Sequence, residues 1–288
     1  MRESTVRHPL IAPLARLRLG APGFWSYHLT ALAAAWLGLL VVFWADAAQM
    51  VQFWLTNPTY KHCALVLPII GWLVWQRSPE LRPLPLGIWW PALFGVGLGL
   101  LIWLVGAAGE IGLLRHAGLI FALQAMVPLV LGKTVGRALV FPIFYLVFAI
   151  PFGEEIVPFL QTLTAIMSIK ILHLIDTPAV LDGIFIATPN GLYRVAQNCA
   201  GVKFLLAMLS YGVLVAHLCF QSFARRLAFV AYAVVLPIVA NGFRAAATIY
   251  IGYRTSPEIA GGGRPYCVWL AIFRDRDDHH VRLWLAFF

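Results

Sequence analysis

The chain has 288 residues, of which 61% are hydrophobic and 11% charged, and its mean hydropathy is +0.83. Soluble domains are roughly 45–50% apolar and about 25% charged, and a single soluble core stops growing at about this chain length. The composition therefore excludes a soluble globular protein and predicts an integral membrane protein.

The formal charge of +9 would suggest a nucleic-acid partner in a soluble protein. Here Lys and Arg fall mainly in short gaps between apolar runs, so the charge indicates membrane orientation and lipid contact, with no nucleic-acid partner.

Seven apolar runs follow one another along the chain. A membrane-spanning helix needs about 20 apolar residues, and most of these runs approach that length. They are 29–45, 63–75, 86–108, 111–131, 138–152, 200–220 and 227–251. The sequence therefore predicts an all-α polytopic membrane protein, one domain over 1–288, with about seven transmembrane helices. A Gly-x-x-x-Gly pattern at Gly95 and Gly99 is typical of close helix packing.

The segment 153–198, between the fifth and sixth runs, is the longest one that is not plainly membrane-spanning. Residues 156–175 have helical apolar spacing interrupted by Gln161, Lys170 and His173, which predicts an amphipathic interfacial helix. The residues after it alternate in polarity on both sides of Pro189-Asn190-Gly191, which predicts a hairpin.

Membrane orientation follows from the basic gaps. These are the N-terminal residues 1–18 and the gaps holding Arg77 and Arg82, Lys133 and Arg137, and Arg225 and Arg226. All four fall on one side of the predicted membrane, so the positive-inside rule places that side and the N-terminus in the cytoplasm. The other, extracytoplasmic side receives 46–62, 107–110 and 153–198.

Cys199 is the first candidate for chemistry. It stands in Gln-Asn-Cys-Ala-Gly, where the outer segment ends and the sixth run begins. Thiolates are favoured at the N-terminal ends of helices, and Gly201 would let a backbone or a substrate approach closely. On position alone, the alternative is that Cys199 is a small residue that packs helices, as membrane cysteines often are. None of the four cysteines has a CxxC or metal-type spacing, so no zinc site, disulfide framework or cofactor is predicted.

Arg244 is the second candidate, because it lies inside the seventh apolar run. Charged residues within membrane helices cost about 2.5–3.5 kcal/mol on insertion scales and are usually functional, although an arginine can also snorkel to the interface. Asn241 lies three residues earlier on the same helix face. From the cytoplasmic Arg225–Arg226 pair to Arg244 the helix rises about 27 Å, which places Arg244 near the outer face, at the depth of Cys199. A thiol beside a fixed cation is a minimal set for acyl transfer.

Several polar residues carry weaker signals. His62 opens the second run on the outer side, and Arg115 lies near the start of the fourth. The remaining residues of this group are interpreted as solvating loops or as having no nameable partner: Asp176, Asp182, Arg194, His173 and His217.

Four segments together resemble the exosortase/archaeosortase family. They are Thr59-Tyr60-Lys61-His62 with the run that follows to Arg77, Pro189-Asn190-Gly191 through Ala196, Cys199-Ala200-Gly201, and Leu236-Pro237 with Ala240-Asn241-Gly242-Phe243-Arg244. The last two are similar to the family's cysteine and arginine motifs. Gln197, Asn198 and Ala200 depart from the family, which usually has Glu before the cysteine and Ser after it.

The resemblance implies a multi-span cysteine peptidase or transpeptidase of the bacterial inner membrane. Its substrates would be exported proteins with a C-terminal sorting signal, in which a short motif such as Pro-Glu-Pro (the PEP-CTERM type) precedes a transmembrane helix and a basic cluster. The resemblance assigns Cys199 as the nucleophile that forms an acyl-thioester, and Arg244 as proton donor or transition-state stabiliser. It implies an active site on the extracytoplasmic side.

The tail 263–288 departs from the family's pattern, in which a third basic residue opens an eighth span beside a Tyr-Gly-Trp-like signature. Here residues 274–280 are all polar. A reading frame shifted by one nucleotide from Gly263 onward permits an apolar run with that signature, so the tail is interpreted as frameshifted or else genuinely divergent. In the tail as written, Arg264 is the candidate for the third basic residue.

The sequence leaves two other functions open. A transporter or channel subunit would use Arg115 and Arg244 to line a substrate path, and Cys199 would then be replaceable. A transferase of an exopolysaccharide system would need an acidic or histidine base on the outer side.

Overall fold

The computed structural model describes residues 22–254. The chain forms two compact units, which divide after Pro151, and each is described by itself. The first unit is helical, with α1 Pro22–Val42, α2 Trp44–Thr56, α3 Cys63–Leu81, α4 Pro91–Ala108, α5 Gly112–Leu131, α6 Lys133–Ala138, α7 Val140–Tyr145 and a 3-10 turn at Leu146–Ala149. The second contains 3-10 turns at Glu154–Ile156 and Gln197–Cys199, with α8 Val157–Leu174, β1 Val180–Asp182, β2 Phe185–Thr188, β3 Gly191–Arg194, α9 Val202–Cys219 and α10 Phe223–Arg254.

Six helices in the described part are long and apolar enough to cross a membrane. They are α1, α4, α5, α8, α9 and α10. The prediction of an all-α polytopic membrane protein is confirmed, and five of the seven predicted runs correspond to these helices.

Two predicted spans differ from the structure. The run 138–152 forms only a short apolar helical stretch, Val140–Ala149, whose length of about 15 Å is half a bilayer core; as a straight spanning helix this prediction is wrong. The run 63–75 is helical, but α3 extends it to Leu81 through Arg77 and Glu80. Those charges lower its hydropathy, and α3 is not among the six apolar helices.

The sequence also missed the helix α2, Trp44–Thr56, which overlaps the predicted outer segment 46–62. The first apolar helix ends at Val42, and α2 begins at Trp44 after a break at Phe43. Asp46, in the first turn of α2, is only 2% exposed, so this helix is packed within the first unit. The extracytoplasmic position of 46–62 stays a prediction.

Glycines pack α4 closely against α5, as the Gly-x-x-x-Gly pattern predicts. A Cβ on Gly99 would lie 2.7 Å from the backbone nitrogen of Ala122, and one on Gly95 would lie 3.1 Å from the Cβ of Ala125. Only hydrogen fits at Gly99, because atoms at that distance would overlap.

The second unit is organised around α10. Up to Arg244 it packs antiparallel to α9: Gly212 faces Ala233 and Gly201 faces Asn241. From Asn241 onward it packs on α8, and Ile249 joins Ala165, Ile169 and Leu172 in a buried apolar cluster.

The polar residues of α8 divide between two environments. Gln161 is 7% exposed and points into the protein, whereas Lys170 and His173 are exposed. The helix predicted at 156–175 is therefore present, but part of its polar face is buried against protein, and by length and composition it could cross a membrane. Its extracytoplasmic position stays a prediction.

The predicted hairpin is part of a three-stranded antiparallel sheet of order β1-β2-β3. Thr188 pairs with Gly191 around the predicted turn. The sequence missed a second turn, in which Asp182 pairs with Phe185 and Gly183 has a φ of +58°. Ile186 is fully buried and packs in the cluster formed by α8 and α10, so the sheet is seated on these helices and leads directly to Cys199.

Candidate active site

Cys199 ends the 3-10 turn Gln197–Cys199 and precedes α9, which begins at Val202. Its backbone N–H donates to the carbonyl oxygen of Ala196, 2.8 Å away. The residue is exposed, as a nucleophile that meets a substrate must be. The predicted location before the sixth span is therefore observed, with a short turn between the cysteine and the helix.

Arg244 lies two-thirds of the way along α10 and is half-buried. Its Nη2 donates to Oδ1 of Asn241 at 2.8 Å, and its Cζ lies 5.9 Å from the centre of the Phe204 ring. Among residues 22–254 no carboxylate forms an ion pair with it. The guanidinium is thus held in place by neutral groups, and its other N–H groups remain available.

Asn241 connects the two predicted residues. Its Nδ2 donates to the backbone carbonyl oxygen of Cys199 at 2.7 Å, while its Oδ1 accepts from Arg244. Gly201 has a φ of +80°, and a Cβ there would lie 2.8 Å from Cγ of Asn241. The close approach predicted at Gly201 is therefore observed, but a side chain of the protein occupies that space.

Two residues of α8 complete the surroundings of the site. Thr164 Oγ1 accepts from Nδ2 of Asn241 at 3.1 Å, and Gln161 Nε2 donates to the carbonyl oxygen of Val195 at 2.8 Å. Sequence reasoning missed Thr164, and Phe204 as well. The sequence feature that could have identified Thr164 is the spacing of Gln161, Thr164 and Ser168, which lie on one face of an otherwise apolar helix.

The weaker candidates take structural positions. His173 Nε2 lies 2.9 Å from the carbonyl oxygen of Ala179, and Asp176, two residues after the end of α8, has a φ of +52°. Asp182 and Arg194 are exposed at the ends of β1 and β3. His217 lies in the last turn of α9.

His62 belongs to the turn before α3 in the first unit. Its Nδ1 lies 3.1 Å from the carbonyl oxygen of Thr59, so this nitrogen carries the hydrogen of the bond. Partial burial lowers the pKa of His62, which favours the neutral imidazole.

Arg115, the arginine of the transport hypothesis, is neutralised. Its Nη2 lies 2.6 Å from Oδ1 of Asp46, and Trp103 Nε1 donates to the other carboxylate oxygen at 2.8 Å. An arginine that is paired with a buried carboxylate is a structural cation, so this contact gives no support to a substrate path.

Arg264 and the tail 263–288 lie outside the described residues. Within residues 22–254, no group of three or more His, Cys, Asp or Glu side chains could hold a metal ion. The arrangement offers an exposed thiol and a fixed guanidinium, which suits covalent chemistry at a carbonyl group.

A family model for transmembrane exosortases matches residues 54–263, a range that contains Cys199, Asn241 and Arg244. The chain belongs to the exosortase family. The resemblance drawn from the motifs is confirmed, and the chain is a multi-pass membrane protein. The matched range of this exosortase ends at residue 263, the first residue of the tail that is predicted to depart from the family's pattern. Comparisons with curated proteins and with solved structures gave no match.

Proposed function

We propose that this exosortase is a membrane-embedded cysteine peptidase or transpeptidase that cleaves the C-terminal sorting signals of exported proteins. The observation that carries the proposal is the link from the exposed Cys199 to Arg244 through a single side chain, Asn241. Family membership supports the substrate class, which is an exported protein with a recognition motif, a transmembrane helix and a basic cluster. The proposed location is the bacterial inner membrane, with the site on the extracytoplasmic side.

The proposed reaction begins with attack of the Cys199 sulfur on the carbonyl carbon of the scissile peptide bond. A carbon–sulfur bond forms, and the carbonyl oxygen becomes an oxyanion. The carbon–nitrogen bond then breaks, and the thiol proton ends on the departing amine. The product is an acyl-thioester on Cys199, which is released by water or by the amine of an acceptor.

Arg244 is proposed to stabilise the oxyanion. A guanidinium keeps its protons at all ordinary pH values, so stabilisation suits it better than proton donation. It donates one side-chain hydrogen bond to a described residue, the bond to Asn241, and its planar fork leaves further donors for an oxygen. Removing one such donor from an oxyanion site typically costs about 10²–10³ in rate. Arg264 is kept as the proposed third basic residue.

Trapping of the thioester tests this function directly. A reporter protein with a C-terminal sorting signal from the same genome is co-expressed with the exosortase, and adducts are identified by mass spectrometry. We expect a hydroxylamine-sensitive adduct on Cys199, and Cys199→Ala should abolish both the adduct and reporter processing. Cys219→Ser is the matched control, since Cys219 is also exposed but lies at the other end of α9. Processing at the wild-type rate by Cys199→Ala would overturn the proposal.

A further inference from the structure

The amide of Asn241 uses both of its N–H groups and its oxygen within the second unit. It donates to the carbonyl oxygen of Cys199 at 2.7 Å and to Oγ1 of Thr164 at 3.1 Å, and it accepts from Arg244 at 2.8 Å. Asn241 is 5% exposed. Because the Cys199 carbonyl can only accept and the guanidinium can only donate, only one orientation of the amide satisfies both contacts.

The chain around Cys199 is held at two points. On the N-terminal side, the buried Gln161 donates to the Val195 carbonyl oxygen. At Cys199 itself, the amide of Asn241 binds the backbone, and the left-handed Gly201 lets that backbone come within reach. A β-carbon at residue 201 would overlap Asn241, so this approach requires glycine.

Hydrogen bonds to the buried Asn241 side chain restrict the positions of both reacting groups, the thiol and the guanidinium. The backbone of Cys199 sets the direction of its side chain, and the same amide sets the position of the Arg244 guanidinium. A displacement of about 1 Å between reacting groups can cost roughly 10²-fold in rate. Asn241 therefore has the hydrogen bonds needed to keep the Cys199 sulfur and the Arg244 guanidinium in fixed relative positions.

We propose that Asn241 is a positioning residue, oriented by Thr164, which holds the Cys199 backbone and the Arg244 guanidinium in one fixed relation. This inference rests on the proposed function. Asn241 acts through these two residues and forms no bond with the reacting atoms. The role predicts loss of kcat rather than weaker substrate binding, because the substrate contacts are left unchanged.

The first test replaces Asn241 by Asp, which has the same shape. The Asp carboxylate can still accept from Arg244 but also neutralises its charge, and no donor is left for the Cys199 carbonyl. Thr164→Val, which adds no charge, separates the loss of positioning from the loss of positive charge. We expect kcat for reporter processing to fall by roughly 10²-fold, with KM nearly unchanged. Thermal unfolding of the purified protein in detergent verifies that the variant is folded.

A second set of variants acts through Thr164, in case Asn241→Asp fails to fold. Thr164→Val keeps the shape and removes one acceptor, so kcat should fall roughly fivefold, the equivalent of one neutral hydrogen bond. Thr164→Ser should restore it. Ser168→Ala is the matched control: Ser168 is a buried hydroxyl one turn further along α8 that bonds to the Gly242 carbonyl oxygen instead, and kcat should not change.

The outcomes separate this inference from the proposed function. Wild-type processing by Cys199→Ala would refute the function itself. If Cys199→Ala is inactive while Asn241→Asp and Thr164→Val keep the wild-type kcat, only the positioning role is refuted. Equal losses in Thr164→Val and Ser168→Ala would also refute it, since they would indicate a general packing effect.

Discussion

Two arginines inside apolar helices have opposite surroundings in this protein. Arg115, in the first unit, is paired with the buried carboxylate of Asp46, which is bound in turn by Trp103. Arg244, in the second unit, is held by the neutral amide of Asn241 and lies near the Phe204 ring. Each unit therefore carries a cation in an apolar helix, but within residues 22–254 only Arg115 is neutralised by an acid.

The difference shows what an intramembrane charge can be used for. A cation next to a buried carboxylate is neutralised within the fold, and removing the cation leaves an unpaired buried acid. A cation held by neutral hydrogen bonds keeps its positive charge and can bind a developing negative charge. The partner, more than the arginine itself, decides between a structural and a functional role.

The largest expected effect concerns the side of the membrane that Arg244 and Cys199 face. Cys199 and Cys219 are both exposed and lie near opposite ends of α9, about 27 Å apart. In spheroplasts of single-cysteine variants, a membrane-impermeant maleimide should label Cys199 and should label Cys219 only after the membrane is opened. The reverse pattern would place the site in the cytoplasm and remove the proposed role of Arg244.

The next largest effect is expected for Arg244→Lys. Lysine keeps the charge but loses the planar fork that bonds in two directions, so reporter processing should fall by about 10²–10³. The amount of inserted protein should stay the same, because no carboxylate depends on this cation in residues 22–254. Arg225→Lys is the control, an exposed position at the start of the same helix. Near wild-type processing by Arg244→Lys would make Arg244 an interfacial anchor.

The smallest effect on processing is expected for Arg115→Gln, although its effect on stability should be large. The change leaves Asp46 buried without its cation, at a cost of about 3–5 kcal/mol, and the midpoint of thermal unfolding in detergent should fall. Adding Asp46→Asn should recover part of this loss. Processing per folded molecule should stay near the wild-type value. Loss of processing with an unchanged midpoint of thermal unfolding would contradict the comparison. It would give Arg115 a functional role, as the transport hypothesis does.

The helical membrane class and the main elements could be predicted from the sequence. Apolar runs identified α1, α4, α5, α9 and α10, because lipid exposure requires long stretches without charge. The same criterion wrongly predicted a spanning helix at 138–152. Composition does not reveal that the helix there ends at Tyr145 and is followed by a 3-10 turn. The α2 helix was missed because its mixed polarity suits a protein interface better than lipid.

By itself, the sequence determined that the chain is a membrane protein of the exosortase family, with Cys199 before one apolar helix and Arg244 within the next. Local composition and spacing carry those properties. The tertiary structure alone decided that Asn241 bonds to both of them, that Thr164 accepts a hydrogen bond from it, and that, within residues 22–254, Arg115 has a carboxylate partner while Arg244 has none. In the second unit, these contacts join Asn241 to Cys199, 42 positions away in the sequence, and to Thr164, 77 positions away. In the first unit, Arg115 contacts Asp46, 69 positions away. Such contacts depend on how helices pack against one another, and hydrophobic periodicity within one helix says nothing about the partner it meets.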